Sequence, residues 1–129
     1  MKTKSIITLT IISLLTLTSC NKDKENPIIT VSEPTEHSVF KWGEMVHISA
    51  VFTDDQELKS YHTFVGDMEG NHNHHFDFMN SEDISGESFD FHNHFVVPDS
   101  APAMAWVHFE VKDAEDKVTE LMWMLHFEE

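Results

Sequence analysis

The chain has 129 residues, and its 23 acidic side chains outnumber its 8 basic ones, which gives a formal charge of −15. A nucleic-acid partner requires a basic surface for its phosphates, so this balance excludes that class of function. A 40% share of hydrophobic residues predicts a folded chain, and the length predicts one domain. A single Cys excludes an intrachain disulfide, whereas ten His exceed what packing requires. The histidines are therefore the first candidates for a function.

Residues 1–19 have the pattern of a signal peptide. Lys2 and Lys4 precede an apolar run over 6–17 that is shorter than the roughly 20 residues of a transmembrane helix. The sequence from Leu17 to Cys20 resembles the bacterial lipobox, which implies that Cys20 is lipidated and anchors the chain to a membrane. The alternative is an ordinary signal peptide with a chance Cys. Cleavage before Cys20 leaves 110 residues with a net charge of −17.

Residues 20–27 are predicted to be the lipidated Cys and a flexible, polar tether. The charged stretch after Cys20 resembles the export signal of Bacteroidetes lipoproteins that reach the outer face of the outer membrane. We therefore expect an outer-membrane lipoprotein of the cell envelope, exposed at the surface. The alternative is a simple spacer on the periplasmic side.

From residue 28 onward the apolar residues recur with a period of two, which predicts strands, and no stretch has sustained helical spacing. The predicted strands are 28–32, 44–53, 58–66, 76–80, 87–97, 103–112 and 118–128. Turn signals separate them at a spacing typical of immunoglobulin domains. Residues 28–129 are therefore predicted to form an all-β, immunoglobulin-like β-sandwich of about seven strands.

The last two predicted strands can be registered against each other across the loop at 113–117. Pairing Lys112 with Val118 gives three apolar pairs suited to a core, namely Phe109 with Leu121, Val107 with Trp123, and Ala105 with Leu125. The opposite face then carries Met104, Trp106, His108, Met122, Met124 and His126. A face rich in Met and aromatic residues is most often a packing surface, and a partner-binding surface is the alternative.

Two His-x-His elements are the strongest chemical signal. His72 and His74 lie in a loop after the third predicted strand, and His92 and His94 lie within the fifth. Residues i and i+2 of a strand point to the same side, and neutral imidazole suits Zn and Cu. We expect these four residues to bind a transition metal, with all four converging on one ion as the simplest arrangement. The alternative is a pair of solvated polar segments.

His62 and His108 are further candidate ligands, because their strands are neighbours in an immunoglobulin-like sheet. A nearby Met122 thioether favours Cu(I). The other histidines are interpreted as bystanders or ordinary surface residues, namely His37, His47, His75 and His126.

Calcium binding and catalysis are weaker alternatives. The acidic turns at 54–55 and 113–116 offer oxygen ligands for Ca²⁺, but Asp is also a common turn residue that caps backbone amides, and we favour that interpretation. No arrangement of a nucleophile or a phosphate-binding loop is visible. A metal-dependent hydrolase with Asp67, Glu69 or Asp77 as its base is the remaining catalytic alternative, and the chain is small for a substrate pocket. We expect a protein that is not an enzyme.

The whole pattern resembles a Bacteroidetes lipoprotein family of unknown function with an immunoglobulin-like, His-rich domain. The residues that carry the resemblance are Pro27-Ile28-Ile29, Glu33-Pro34, Trp42-Gly43, Asp54-Asp55, Leu58 to Tyr61, the His-x-His loop, His92 to Phe95, Pro98 and Val111-Lys112-Asp113. The resemblance implies recurrent histidines at His72, His74, His92, His94 and His108. The chain departs from the family at Glu115-Asp116, where Gly-Asn is usual. No activity is implied by the family.

The expected function is a lipid-anchored envelope protein that captures, buffers or delivers Zn or Cu. The alternative is a module of an outer-membrane complex that interacts with a protein or glycan and has only a structural or incidental metal site.

Overall fold

Eight strands account for more than half of residues 25–129, the part of the chain that a computed structural model describes. The predicted signal peptide, the lipidation site at Cys20 and most of the predicted tether lie outside the described residues. The strands are β1 (Ile28–Glu33), β2 (Val39–Lys41), β3 (Met45–Thr53), β4 (Leu58–Gly66), β5 (Met79–Asp83), β6 (Ser88–Val96), β7 (Met104–Asp113) and β8 (Val118–Glu128). Residues 25–129 contain no helix long and apolar enough to cross a membrane.

The strands form two sheets that enclose one apolar core. One sheet has the order β1-β3-β6, and the other has the order β2-β8-β7-β4-β5. All pairings are antiparallel except that of β2 with β8. The all-β sandwich prediction is confirmed, with eight strands instead of about seven.

Two strand predictions differ from the structure. The short strand β2 was not predicted, because three residues that pair in parallel with β8 are too few to show an alternating pattern. The strand predicted at 76–80 begins only at Met79. Phe76 and Phe78 alternate as strand residues do, but they lie in the preceding loop and are almost fully buried in the core.

Aromatic side chains fill the core between the sheets. Phe52 of β3 lies at its centre, with ring centroids 5.5 Å from Tyr61 and 5.8 Å from Phe91. The loop residues Phe76 and Phe78 each pack against Phe95 of β6, at 5.4 Å and 5.3 Å. These contacts fix the loop before β5 to the sandwich, so the histidines in that loop are attached to a rigid support.

The hairpin of β7 and β8 has the predicted register. Lys112 pairs with Val118, and Trp106 pairs with Met124. The inward row contains the predicted apolar pairs, including Val107, which is fully buried. The outward row therefore carries the predicted Met, Trp and His side chains on the outer face of the five-stranded sheet.

The acidic turns have the capping role that we favoured over calcium binding. One carboxylate oxygen of Asp54 accepts hydrogen bonds from the amides of Gln56 and Glu57, each at 3.0 Å. One oxygen of Asp113 accepts from the amides of Glu115 and Lys117, each at 2.9 Å. The second Asp113 oxygen lies 3.0 Å from the Lys117 ammonium. Asp113 is thus committed to local backbone and a lysine, whereas Asp54 uses one oxygen for backbone amides and its other oxygen is buried without a hydrogen-bond partner.

Candidate metal centre

The first His-x-His element lies in a loop that is held against the free end of β4. His72 forms an isolated antiparallel bridge with Gly66, and the amide of Asn73 donates to the carbonyl of Val65 at 2.9 Å. The side chain of Asn73 accepts from the amide of His75 at 3.0 Å, which turns the chain toward the buried Phe76. The loop therefore presents His72 and His74 from a fixed backbone.

His72 and His74 bring their imidazoles together. Their ring centroids are 4.7 Å apart, and the rings are nearly perpendicular, at 83°. Two imidazoles bound to one tetrahedral zinc ion have centroids about 5 Å apart, given Zn–N bonds of about 2.0–2.1 Å. The spacing of this pair is therefore compatible with two ligands of one ion.

The ring nitrogens of His72 lack the partners that buried polar atoms normally have. Both nitrogens are shielded from solvent, and neither makes a hydrogen bond of normal geometry with the described residues, although backbone groups of Phe76 and Phe78 lie near the ring. Buried side-chain nitrogens in native proteins are nearly always hydrogen-bonded, so each such exception indicates strain, a bound water or a bound ion. One ring nitrogen of a neutral imidazole is a free acceptor that can coordinate a metal.

The surroundings of His72 favour its neutral form. Burial lowers its pKa, and the neighbouring His74 and the more distant His62 lower it further. Hydrogen bonding with the backbone of Phe76 and Phe78 acts in the opposite direction and raises the pKa of His72. Because metal binding requires neutral imidazole, this environment keeps His72 competent as a ligand below the pH at which an ordinary histidine is protonated.

The second His-x-His element lies on the other sheet. His92 and His94 point outward from β6 of the three-stranded sheet, since Phe91 and Phe95 on either side of them in the alternation are buried. Within residues 25–129, no three His, Cys, Asp or Glu side chains are grouped so that they could hold a metal ion. The structure therefore does not bring His72, His74, His92 and His94 together around one point. Strand pairing directs the two elements to different sheets.

His94 has a partner that sequence analysis missed. His47 of β3 is directly opposite His94, and their ring centroids are 5.8 Å apart. His92 is opposite Ser49, whose hydroxyl lies 3.0 Å from the His92 Nδ1. His47 was interpreted as an ordinary surface residue, because its proximity to His94 depends on the pairing of β3 with β6, two strands that are far apart in the sequence. Matching the buried residues of β3 and β6 would have found it.

A third imidazole pair joins two histidines that were also interpreted as surface residues. His37 and His126 have centroids 5.7 Å apart, near the parallel pairing of Val39 with His126. Only the His72–His74 pair combines a short spacing with buried, unpartnered nitrogens.

His62 and His108 have local partners of their own. The His62 Nδ1 contacts the hydroxyl of Ser81 on β5. His108 stacks on Phe64 with a centroid distance of 4.6 Å, and its Nε2 donates to the carbonyl of Asp67 at 2.7 Å. His108 of β7 is directly opposite Phe64 of β4 and Met122 of β8. His62 lies two residues before Phe64 on β4 and is opposite Glu110 of β7. His108 therefore holds the loop after β4 and has only Nδ1 left for a ligand.

The carboxylates considered as general bases do not converge on the histidine pair. Asp67 binds the amide and side chain of Asn71 at 2.8 Å and 2.9 Å, and these hydrogen bonds lower its pKa. Glu69 and Asp77 are exposed. Within residues 25–129, none of these three carboxylates joins His72 and His74 in a group that could hold a metal ion.

Comparisons with known proteins bear on the family and the fold. A family model described as "Domain of unknown function (DUF4625)" matches residues 17–120. A search of curated proteins finds no match. Among solved structures, the periplasmic chaperone SfaE is similar with a TM-score of 0.56 at 12% identity, over 79% of this chain and 56% of the chaperone. A Niemann-Pick type C2 protein from the Japanese carpenter ant gives a TM-score of 0.45 at 13% identity, over 84% of this chain and 96% of that protein. The chain thus spans little more than half the length of the chaperone, and the likeness to it shows the fold alone.

Proposed function

Because the chain belongs to the DUF4625 family, whose description states no activity, we propose a function from its residues: binding of a transition metal ion, Zn or Cu, through His72 and His74. The observation that carries the proposal is the half-buried imidazole of His72, whose two nitrogens are shielded from solvent without a hydrogen bond of normal geometry while the ring of His74 lies 4.7 Å away. Two protein ligands leave open positions on the ion, which suits capture and delivery better than permanent storage.

His62 is the candidate for a third ligand. His62 lies close enough to His72 to lower its pKa, and Phe64 lies between them in the row of rings, 5.2 Å from His62 and 6.0 Å from His72. His92 and His94, with His47, form a separate and weaker candidate site on the other sheet.

Isothermal titration of residues 26–129 with Zn²⁺ and with Cu²⁺ tests the proposal. We expect binding at micromolar concentration or tighter at neutral pH, and a loss of at least tenfold in affinity in the double variant His72→Gln, His74→Gln. The matched control, His47→Gln with His94→Gln, removes an exposed pair and should retain the tighter site. Failure of the wild-type protein to bind either ion at micromolar concentration would refute the proposal.

The envelope location is part of the same proposal. The signal-like residues 1–19, the lipobox-like sequence before Cys20 and the resemblance to surface-exported Bacteroidetes lipoproteins with an immunoglobulin-like domain support a lipidated protein of the outer membrane. Labelling of cells with an alkynyl fatty acid should mark the wild-type chain, and Cys20→Ser should abolish the label. A labelled Cys20→Ser chain would contradict the anchor.

A second candidate function rests on the outer face of β7 and β8. Met104 and Met122 are exposed there, and Trp106 and Met124 are half-buried beside them. A cluster of Met and aromatic residues on a sheet face suits contact with a protein or glycan of an outer-membrane complex. In that case Trp106→Ser with Met124→Ser abolishes partner binding and leaves metal binding unchanged, whereas the His72 and His74 variants do the reverse.

A further inference from the structure

A cleft on the outer face of the five-stranded sheet is separate from the imidazole pair. Its volume is about 650 Å³, and it lies between the turn after β4 and the exposed rows of β7 and β8. Phe64, His108, Met68 and Met122 supply its apolar surface. Cavities of roughly 300–1,000 Å³ are the size that binds small molecules.

The cleft is preformed. Its floor is the stack of Phe64 and His108, whose ring planes are only 6° from parallel. The bond from His108 to the Asp67 carbonyl fixes the overhanging turn, and Asp67 in turn holds Asn71 through two side-chain hydrogen bonds. A ligand would therefore enter without ordering the protein, which removes one cost of binding.

The rim of the cleft is acidic and lacks a counterion. Glu110 and Glu120 are directly opposite each other on β7 and β8, and Glu69 lies on the overhanging turn. Like charges directly opposite in a sheet are destabilising. Within residues 25–129, no lysine forms an ion pair with any of these three carboxylates. The arrangement offers a cation two adjacent carboxylates beside an apolar surface.

The residues at the rim favour an organic cation over a metal ion. His62 is in the same row as Glu110 and Glu120, yet its Nδ1 is engaged by Ser81, and these groups do not form a metal-binding cluster in the described part of the chain. The methionines and Phe64 would leave a bare metal ion with no oxygen ligands on one side. The same surface would pack against the hydrocarbon part of a ligand.

From the apolar floor and the acidic rim, we propose that this cleft binds a small organic cation, with an ammonium group between Glu110 and Glu120 and an apolar body against Met68, Met122 and the Phe64–His108 stack. The formal charge of −15 raises the local concentration of such a cation before it makes contact. This binding is independent of the metal site, because His72 and His74 do not line the cleft.

Methyl NMR of methionine in the purified full chain tests the proposal directly. With ¹³C-methyl methionine, the Met68 and Met122 signals report on the cleft, and Met45 on the other sheet is an internal reference; Met→Leu variants assign them. The probe is 2-phenylethylamine, compared with neutral 2-phenylethanol and anionic 3-phenylpropionate, all in the presence of EDTA. We expect saturable shifts of Met68 and Met122 with the amine, and binding at least fivefold weaker with the alcohol and the acid.

Two double variants distinguish a specific effect of Glu110 and Glu120 from the effect of the protein's net negative charge. Glu110→Gln with Glu120→Gln should weaken amine binding about five- to tenfold, as expected for two partly exposed ion pairs. Glu36→Gln with Glu87→Gln changes the net charge equally at exposed positions outside the cleft and should leave it unchanged. Absence of shifts, equal binding of the alcohol, or equal weakening in both double variants would overturn the proposal. Because EDTA is present, none of these results depends on the metal site.

Discussion

His72 shows how a single residue can be shaped for a ligand. Its two ring nitrogens are shielded from solvent without a hydrogen bond of normal geometry, and the imidazole of His74 lies at 83° to its ring. The cost of leaving such atoms unpaired is roughly 1–3 kcal/mol, which a bound ion would offset. Metal binding should therefore stabilise the fold as well as fill the site.

The lowered pKa of His72 predicts a dependence of stability on pH. Its ordinary pKa is near 6.5, and burial followed by His74 lowers it in the folded state. Below about pH 6.5 the unfolded chain therefore binds the proton more readily than the folded chain, so this contribution to stability is lost as the pH falls. In metal-free protein, His72→Gln should lose less stability than wild type between pH 7.5 and pH 5.5.

Urea unfolding at the two pH values measures this difference. His75→Gln is the matched control, because His75 is the exposed neighbour in the same loop. It should lose as much stability as wild type. An unchanged pH dependence in His72→Gln would contradict the assignment of a buried, neutral imidazole.

The loop after β4 is positioned by a close approach of two backbone segments. The amide of Asp67 donates to the Asn71 carbonyl at 3.0 Å, and the bridge of Gly66 with His72 follows directly. A Cβ on Gly66 would lie 2.4 Å from the carbonyl oxygen of Asn71 and 2.9 Å from the ring of Phe64. Only glycine allows the loop to approach β4 so closely.

Gly66→Ala should therefore displace the loop that carries His72 and His74. The backbone oxygen cannot move away as a flexible side chain could, so we expect a loss of about 1–3 kcal/mol in the free energy of unfolding. The same variant should weaken zinc binding by misplacing the imidazole pair. Urea unfolding and calorimetric titration measure the two effects, and wild-type values in both would contradict the described packing.

At the scale of the whole molecule, acidity dominates. Eight lysines oppose 23 carboxylates, and the ion pairs of residues 25–129 include two around the turn after β7, Lys59 with Asp116 and Lys117 with Asp113. Net charge far from zero destabilises a compact state through self-repulsion. The fold thus retains stability against a charge that also attracts cations to both proposed sites.

Screening this repulsion should stabilise the protein. Raising NaCl from 20 to 200 mM shortens the Debye length to below about 10 Å, and the melting temperature should rise by about 2–5 °C at pH 7 in EDTA. Calorimetry measures the shift. A chloride salt is required, because sulfate stabilises proteins by exclusion from the surface. A melting temperature that falls with NaCl would contradict this account.

The sequence pattern predicted those features of the structure that depend on residues close together in the chain. The β7–β8 register followed from apolar alternation across a short loop, and the His72–His74 pair followed from i, i+2 spacing. The sequence did not predict the pairing of His47 with His94, because it requires the long-range alignment of β3 with β6. Phe76 and Phe78 were wrongly predicted to lie in a strand. They alternate with exposed residues because both are buried in the core, although they lie in a loop and in no strand.

The metal content of the chain purified without an affinity tag, from cells supplied with zinc and copper, tests the central claim most directly. Elemental analysis should find close to one equivalent of zinc or copper in the wild-type protein and in the His47→Gln, His94→Gln control, and a small fraction of that in the His72→Gln, His74→Gln variant. Wild-type protein that carries neither metal, or a His72 and His74 variant that retains a full equivalent, would contradict the account.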